Sequence, residues 1–184
     1  MINYLLLPIL LLHTALVSAD TGSYPLLQVE DGDTLVIEVS GSPTRVQLLG
    51  IDAPEDVVNP KLKRDATRTG KSEEILLELG RQATRHLQRL VASATEIDIK
   101  GDLKHRDKYG RVPVVAFLPE EQGSLNSAMV QQGYAITLSS YTPGNQTEPG
   151  LRQLEQQARE EAAGLWKSNP ELMQSWSGRT GAIR

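Results

Sequence analysis

Between Thr34 and Val39, and again between Thr44 and Ile51, β-branched and aliphatic residues gather in two short runs. The Ser40-Gly41-Ser42-Pro43 stretch between them has the composition of a turn, so the segment predicts a β-hairpin. Two more strands are predicted. Thr95 to Lys100 alternates Ile97 and Ile99 onto one face, and Val112 to Phe117 carries Pro113 where a strand's beginning or an edge would tolerate it. From Ser72 onward the apolar spacing becomes helical: Ser72, Glu73 and Glu74 mark a start, and Leu76, Leu79, Ala83, Leu87 and Leu90 share a face, with Gly80 as an expected break. Leu125 to Gln132 predicts a short helix closed by Gly133, followed by irregular chain from Tyr134 to Pro143. A final helix starts near Thr147 and Pro149, carries Leu151, Leu154, Ala158, Ala162 and Leu165 as one stripe, and places Trp166 in the core. The segment from Asp56 to Lys71 has no sustained period and is expected to be a loop that gates whatever site lies beside it. Strands gathered early, with helices inserted and appended, predict an α+β domain built as a small barrel carrying helices.

The ends of the chain read differently from its middle. Tyr4 to Leu12, continued through Val17 and closed by Ser18-Ala19, has the length of a signal-peptide core with a cleavage site before Asp20. Residues 1–19 are therefore expected to be a signal peptide and the protein to be exported, periplasmic or secreted; a retained N-terminal anchor is the alternative, since the opening has no Lys or Arg. The domain is expected over 20–167, as a monomer, with 168–184 as a polar C-terminal tail. A chain of 184 residues suits one domain with a real core. No cysteine is present, which excludes disulfides, a Cys nucleophile and a thiolate zinc site.

Charge narrows the picture further. The formal net charge is −4, whereas a protein that binds polyphosphate normally relies on basic surface. Positive charge is concentrated in two places: Lys61, Lys63, Arg64, Arg68 and Lys71, and then Lys100, Lys104, Arg106, Lys108 and Arg111. Three carboxylates stand at the ends of the predicted hairpin. Asp33 follows the Asp31-Gly32 turn, while Asp52 and Glu55 bracket Ala53-Pro54, and the hairpin makes Asp33 and Asp52 neighbours. Hard oxygens in that arrangement suit a divalent cation. An EF-hand loop is excluded, because Leu35 stands where its third ligand belongs. His86 and His105 are too few for an imidazole site beyond residue 19, and no nucleophile elbow or phosphate-binding glycine loop occurs.

Taken together, DGDT at 31–34, LLGIDAPE at 48–55, DKYGR at 107–111, LNSAMVQQGYA at 125–135 and GLW at 164–166 resemble the staphylococcal nuclease (thermonuclease) family, over about Val29 to Trp166. The resemblance implies a five-stranded OB-type β-barrel with three helices. It implies calcium as cofactor, bound by Asp33, Asp52 and the backbone carbonyl of Ala53, and DNA or RNA as substrate. Glu55 would orient or deprotonate the attacking water, Arg111 would contact the phosphate, and Tyr109, Tyr141 and Lys108 would line the nucleotide site. One position departs from the pattern. The family carries an Arg five residues before Asp52, where this chain has Gln47, which could still touch substrate but cannot clamp a phosphate with charge. Arg45 lies two residues away on the same strand face and is the candidate substitute. Two functions follow: a calcium-dependent nuclease, or a catalytically weak or inactive OB-type module that binds nucleic acid.

Overall fold

The computed structural model describes residues 20–138 and 150–179. Five strands close into a barrel in the order β1-β2-β3-β6-β5: β1 (Asp20–Val29), β2 (Thr34–Val39), β3 (Ser42–Leu48), β5 (Glu96–Gly101) and β6 (Val112–Phe117). All pairings are antiparallel except that of β3 with β6, in which Val46 faces Val112 and Gln47 faces Pro113. Inward positions alternate as strand geometry requires, so Leu35, Ile37, Val46, Leu48, Ile97, Ile99, Val114 and Ala116 fill the barrel while Arg45 and Gln47 point out of it. The expected α+β class and five-stranded barrel are therefore the architecture observed. The run Thr44 to Ile51 is two elements. β3 ends at Leu48, and β4 (Ile51–Asp52) pairs instead with β7 (Ile136–Thr137), in the stretch expected to be irregular.

Six helical segments occur among the described residues, and their departures from the sequence reading have local causes. The stretch expected as a loop contains α1 (Pro60–Thr69), started by Asn59, whose side chain accepts from the amides of Lys61 and Leu62, and stopped by left-handed Gly70. Only Leu62 of α1 is buried, so no apolar period advertises it. α2 (Glu73–Leu90) runs through Gly80 without a break. α3 (Leu125–Gln131) matches its expectation, and its fully buried Asn126 donates to the carbonyls of Leu49 (2.9 Å) and Val114 (3.2 Å). That side chain fixes the stretch that follows β3 against β6. The final helix is shorter than its stripe suggests: α4 (Leu151–Glu160) ends before Ala162 and Gly164, both at positive φ, and the chain restarts as α5 (Leu165–Ser168) and α6 (Pro170–Ser177). Trp166 is core, as expected. Residues 170–177 are not a loose tail, because Met173 and Trp176 are buried and Arg68 of α1 donates to the carbonyls of Ser175 (3.1 Å) and Trp176 (2.7 Å). Among the described residues no helix is long and apolar enough to cross a membrane.

Candidate active site

The turn before β2 brings the first carboxylates into place. Asp31 Oδ1 accepts from the amide of Asp33 (3.0 Å), and the amides of Glu30 and Asp31 both point at the carbonyl of Thr34. Asp33 is buried and accepts from the hydroxyl of Thr34 at 3.2 Å and from the amide of Ala53 at 3.0 Å, which links the start of β2 to the chain leaving β4. Gly32 is required here, since a Cβ would stand 2.7 Å from that of Ala53 and 2.9 Å from that of Ala83 on α2. Burial, reinforced by the charges of Asp31 and Asp52, holds the Asp33 carboxyl well above the usual carboxylate range. Asp31 and Asp52 are raised as well, chiefly by burial, against which the nearby Lys61 ammonium works at Asp52. Burial thus disfavours the charged forms of these carboxyls, which gain most from a neighbouring cation.

Glu55 comes in from the other side, and α2 decides where. A Cβ on Gly80 would lie 2.2 Å from the carbonyl oxygen of Glu55 and 2.6 Å from the amide of Asp56, so the bare helix surface at Gly80 lets this backbone cross in contact. One turn further on, Thr84 donates to Asp56 Oδ2 at 2.7 Å and fixes the crossing. Glu55 then meets α1: Asn59 Nδ2 donates to Oε2, and Lys61 Nζ lies 2.8 Å from Oε1. The same ammonium is 3.2 Å from Asp52 Oδ1, 3.3 Å from the carbonyl oxygen of Ala53 and 3.8 Å from Asp65.

Arg111 closes the site from the stretch before β6. Asp107 organises that stretch by accepting from the amides of Tyr109 (2.8 Å) and Arg111 (2.9 Å) and from Arg111 Nε (2.9 Å). Burial pulls the Asp107 carboxyl upward, but these donors together hold it below the usual range. Arg111 Nη1 is left 3.4 Å from the hydroxyl of Thr34 and 3.9 Å from Asp33 Oδ1. The guanidinium lies over Tyr109, which is half exposed, and Lys108 Nζ lies 5.0 Å from the same ring. Gln47 pairs with Thr34 across β2 and β3, next to Asp33.

Asp33, Asp52, Ala53, Glu55, Gln47, Arg111, Tyr109 and Lys108 thus gather at one end of the barrel, and Tyr141 lies outside the described residues. Arg45 is already engaged. Its Nε donates to Glu30 Oε2 at 2.6 Å, its Nη2 pairs with Glu30 Oε1, and its Nη1 reaches the carbonyl of Tyr109 at 3.3 Å. As a substitute clamp it would first have to leave Glu30, so in this arrangement it positions the Tyr109 segment. The first basic set is also partly spent internally, with Lys61 among the carboxylates and Arg68 on α6. Sequence reasoning passed over Asp31, Asn59 and Lys61. Asp31 belongs to the same DGDT run and was legible there as a turn-capping carboxylate; Lys61 was not, because it acts through a helix that shows no stripe.

The donors fit a hard divalent cation in kind: the buried carboxylate of Asp33, the part-buried carboxylate of Asp52 and a carbonyl. Among the described residues no group of three or more His, Cys, Asp or Glu is disposed to hold an ion, and Lys61 engages two of the three expected ligands.

Comparison with known proteins gives a consistent result. A family profile described as staphylococcal nuclease homologue matches residues 45–168. Protein ParB of Escherichia coli is 31% identical over 84% of this chain and 77% of its own length. An uncharacterized endonuclease of Escherichia coli is 30% identical over 84% of this chain and 82% of its own. The thermonuclease of Staphylococcus hyicus is 22% identical over 82% of this chain and 79% of its own.

Proposed function

We propose that this chain, which belongs to the staphylococcal nuclease family, is a calcium-dependent nuclease that hydrolyses phosphodiester bonds of DNA or RNA. A nuclease role rests on kinship; the cofactor and the residue roles rest on the site. The observation that carries them is the meeting of Asp33, Asp52, Glu55 and Arg111 around one small volume, with Arg111 Nη1 3.9 Å from Asp33 and Glu55 bridged to Asp52 through Lys61. A nucleic-acid-binding module has no need of three converging carboxylates, which repel its ligand.

Calcium would be held by Asp33, Asp52 and the carbonyl of Ala53, where it supplies positive charge to the phosphoryl oxygens. Glu55 takes the proton of the attacking water as its oxygen bonds to phosphorus, Arg111 donates to the phosphate as charge develops on it, and the P–O bond to the leaving sugar oxygen breaks with that oxygen protonated from solvent. Tyr109, with Lys108 beside it, offers a ring face and a charge to the adjoining nucleotide. Removal of residues 1–19 and export complete the reading, supported by the apolar opening of the chain.

The decisive experiment is digestion of plasmid DNA and of RNA by the full chain in calcium and in chelator. Degradation that needs calcium is expected, together with a higher melting temperature in calcium. Activity undiminished by chelator removes the metal from the reading, and no hydrolysis of either substrate leaves the binding module.

Gln47 marks where the site is weakest. Gln47→Arg is expected to raise kcat by roughly tenfold or more by restoring a preorganised charge beside Thr34 and Asp33. Because Arg45 is held by Glu30, Arg45→Ala should weaken nucleic-acid binding and its salt dependence while leaving much of the turnover. If Arg45→Ala instead abolishes turnover and Gln47→Arg restores it, Arg45 is the clamp after all, and the two positions will be strongly non-additive.

A further inference from the structure

The ammonium of Lys61 has three donors, and three oxygens surround it: Glu55 Oε1 at 2.8 Å, Asp52 Oδ1 at 3.2 Å and the Ala53 carbonyl at 3.3 Å. Asp52 and Ala53 are also two of the three ligands assigned to calcium. Calcium holds its ligands at about 2.3–2.6 Å. A divalent ion and an ammonium cannot both approach the same two oxygens so closely without like charges meeting almost in contact. We propose that Lys61 is a tethered cation occupying the seat of the divalent ion, so that α1 and calcium compete for the same oxygens. This inference rests on the proposed calcium site and adds to it an internal competitor.

The way α1 is held supports the idea. Its first turn is tied to the site by Asn59, which caps the helix and donates to Glu55 with the same side chain. Its far end is clamped by α6: Arg68 reaches the carbonyls of Ser175 and Trp176, and Trp176 Nε1 donates to Asp65 at 3.1 Å. Lys61 Nζ itself lies 5.5 Å from the centre of the Trp176 ring. α6 begins at Pro170, beyond the residues 45–168 that match the family. The clamp that keeps Lys61 seated is thus made from sequence outside that match. Divalent affinity is lowered by the fraction of molecules in which Lys61 is seated, and substitutions that loosen α1 or α6 raise it without touching a ligand.

Calcium chloride titrated calorimetrically into the full-length wild type and into Lys61→Met tests this directly. Lys61→Met is expected to bind calcium at least tenfold more tightly. Equal or weaker binding by Lys61→Met, with wild type binding measurably, overturns the competition and leaves the calcium site standing. No binding by either protein overturns both. Should Lys61→Met fail to fold, reductive methylation of wild-type lysines, followed by peptide mass spectrometry, decides. Saturating calcium should raise the labelling rate at Lys61 severalfold relative to the exposed Lys63, and a rate that is unchanged or lower overturns the proposal.

Discussion

Glu55→Gln is expected to lower the turnover of DNA and RNA by roughly a hundredfold to ten-thousandfold, the range typical of a positioned acid or base, while substrate binding changes little and calcium binding is no weaker, because the ion pair that helps seat Lys61 is lost. The substitution keeps the shape of the side chain and its acceptance from Asn59 Nδ2 through the amide oxygen, so the segment from Ala53 to Asn59 retains its course. What is lost is the charge that removes a proton from water. A loss in kcat with KM preserved locates Glu55 in the transition state, whereas a loss confined to calcium affinity makes it a metal ligand. Turnover equal to wild type excludes it from the mechanism.

The second large effect is expected at a residue with no side chain. Gly80 lies inside α2, and helix propensity alone says that Ala there should stabilise the protein by about 1 kcal/mol. The structure reverses the sign. The added methyl would lie 2.2 Å from the carbonyl oxygen of Glu55 and 2.3 Å from its carbonyl carbon, backbone atoms that must shift bodily to admit it. Gly80→Ala is therefore expected to destabilise the fold by about 1–3 kcal/mol, the usual cost of overpacking. Because the displaced backbone carries the proposed base, turnover should fall by about a hundredfold in the protein that remains folded, the scale set by misplacing a catalytic group by about 1 Å. Thermal melts and kcat together check this. A stabilised, fully active Gly80→Ala would mean that the Glu55 segment does not depend on its contact with α2.

How far the site was readable follows from the same residues. Asp33, Asp52 and Glu55 are legible because each sits within a few positions of a turn or a strand end, where local spacing dictates neighbourhood: Thr34 opposite Gln47 leaves Asp33 and the end of β3 side by side. The barrel is legible through β-branched runs of period two. β1 was not, since its Gly22 and Pro25 weaken the pattern and Leu27 is exposed beside a register shift. Gly80 shows the difference most sharply. Along the chain it is a helix breaker, and only the packed molecule makes it the place where the Glu55 backbone lies against α2.

By itself the sequence determined the α+β class and four of the five barrel strands, because periodicity and turn chemistry are local properties, while the expected roles of the carboxylates and Arg111 and the family guanidinium missing at Gln47 came through the resemblance. Tertiary structure alone decided three things. It paired Arg45 with Glu30 and the Tyr109 carbonyl, it folded residues 170–177 back onto α1, and it seated the Lys61 ammonium among Asp52, Glu55 and the Ala53 carbonyl. Each of these joins charges or donors across segments far apart in sequence or across a helix without an apolar stripe. Such pairings depend on distances that exist only once the core has closed, and a long flexible side chain chooses its partner by proximity and not by its place in the chain.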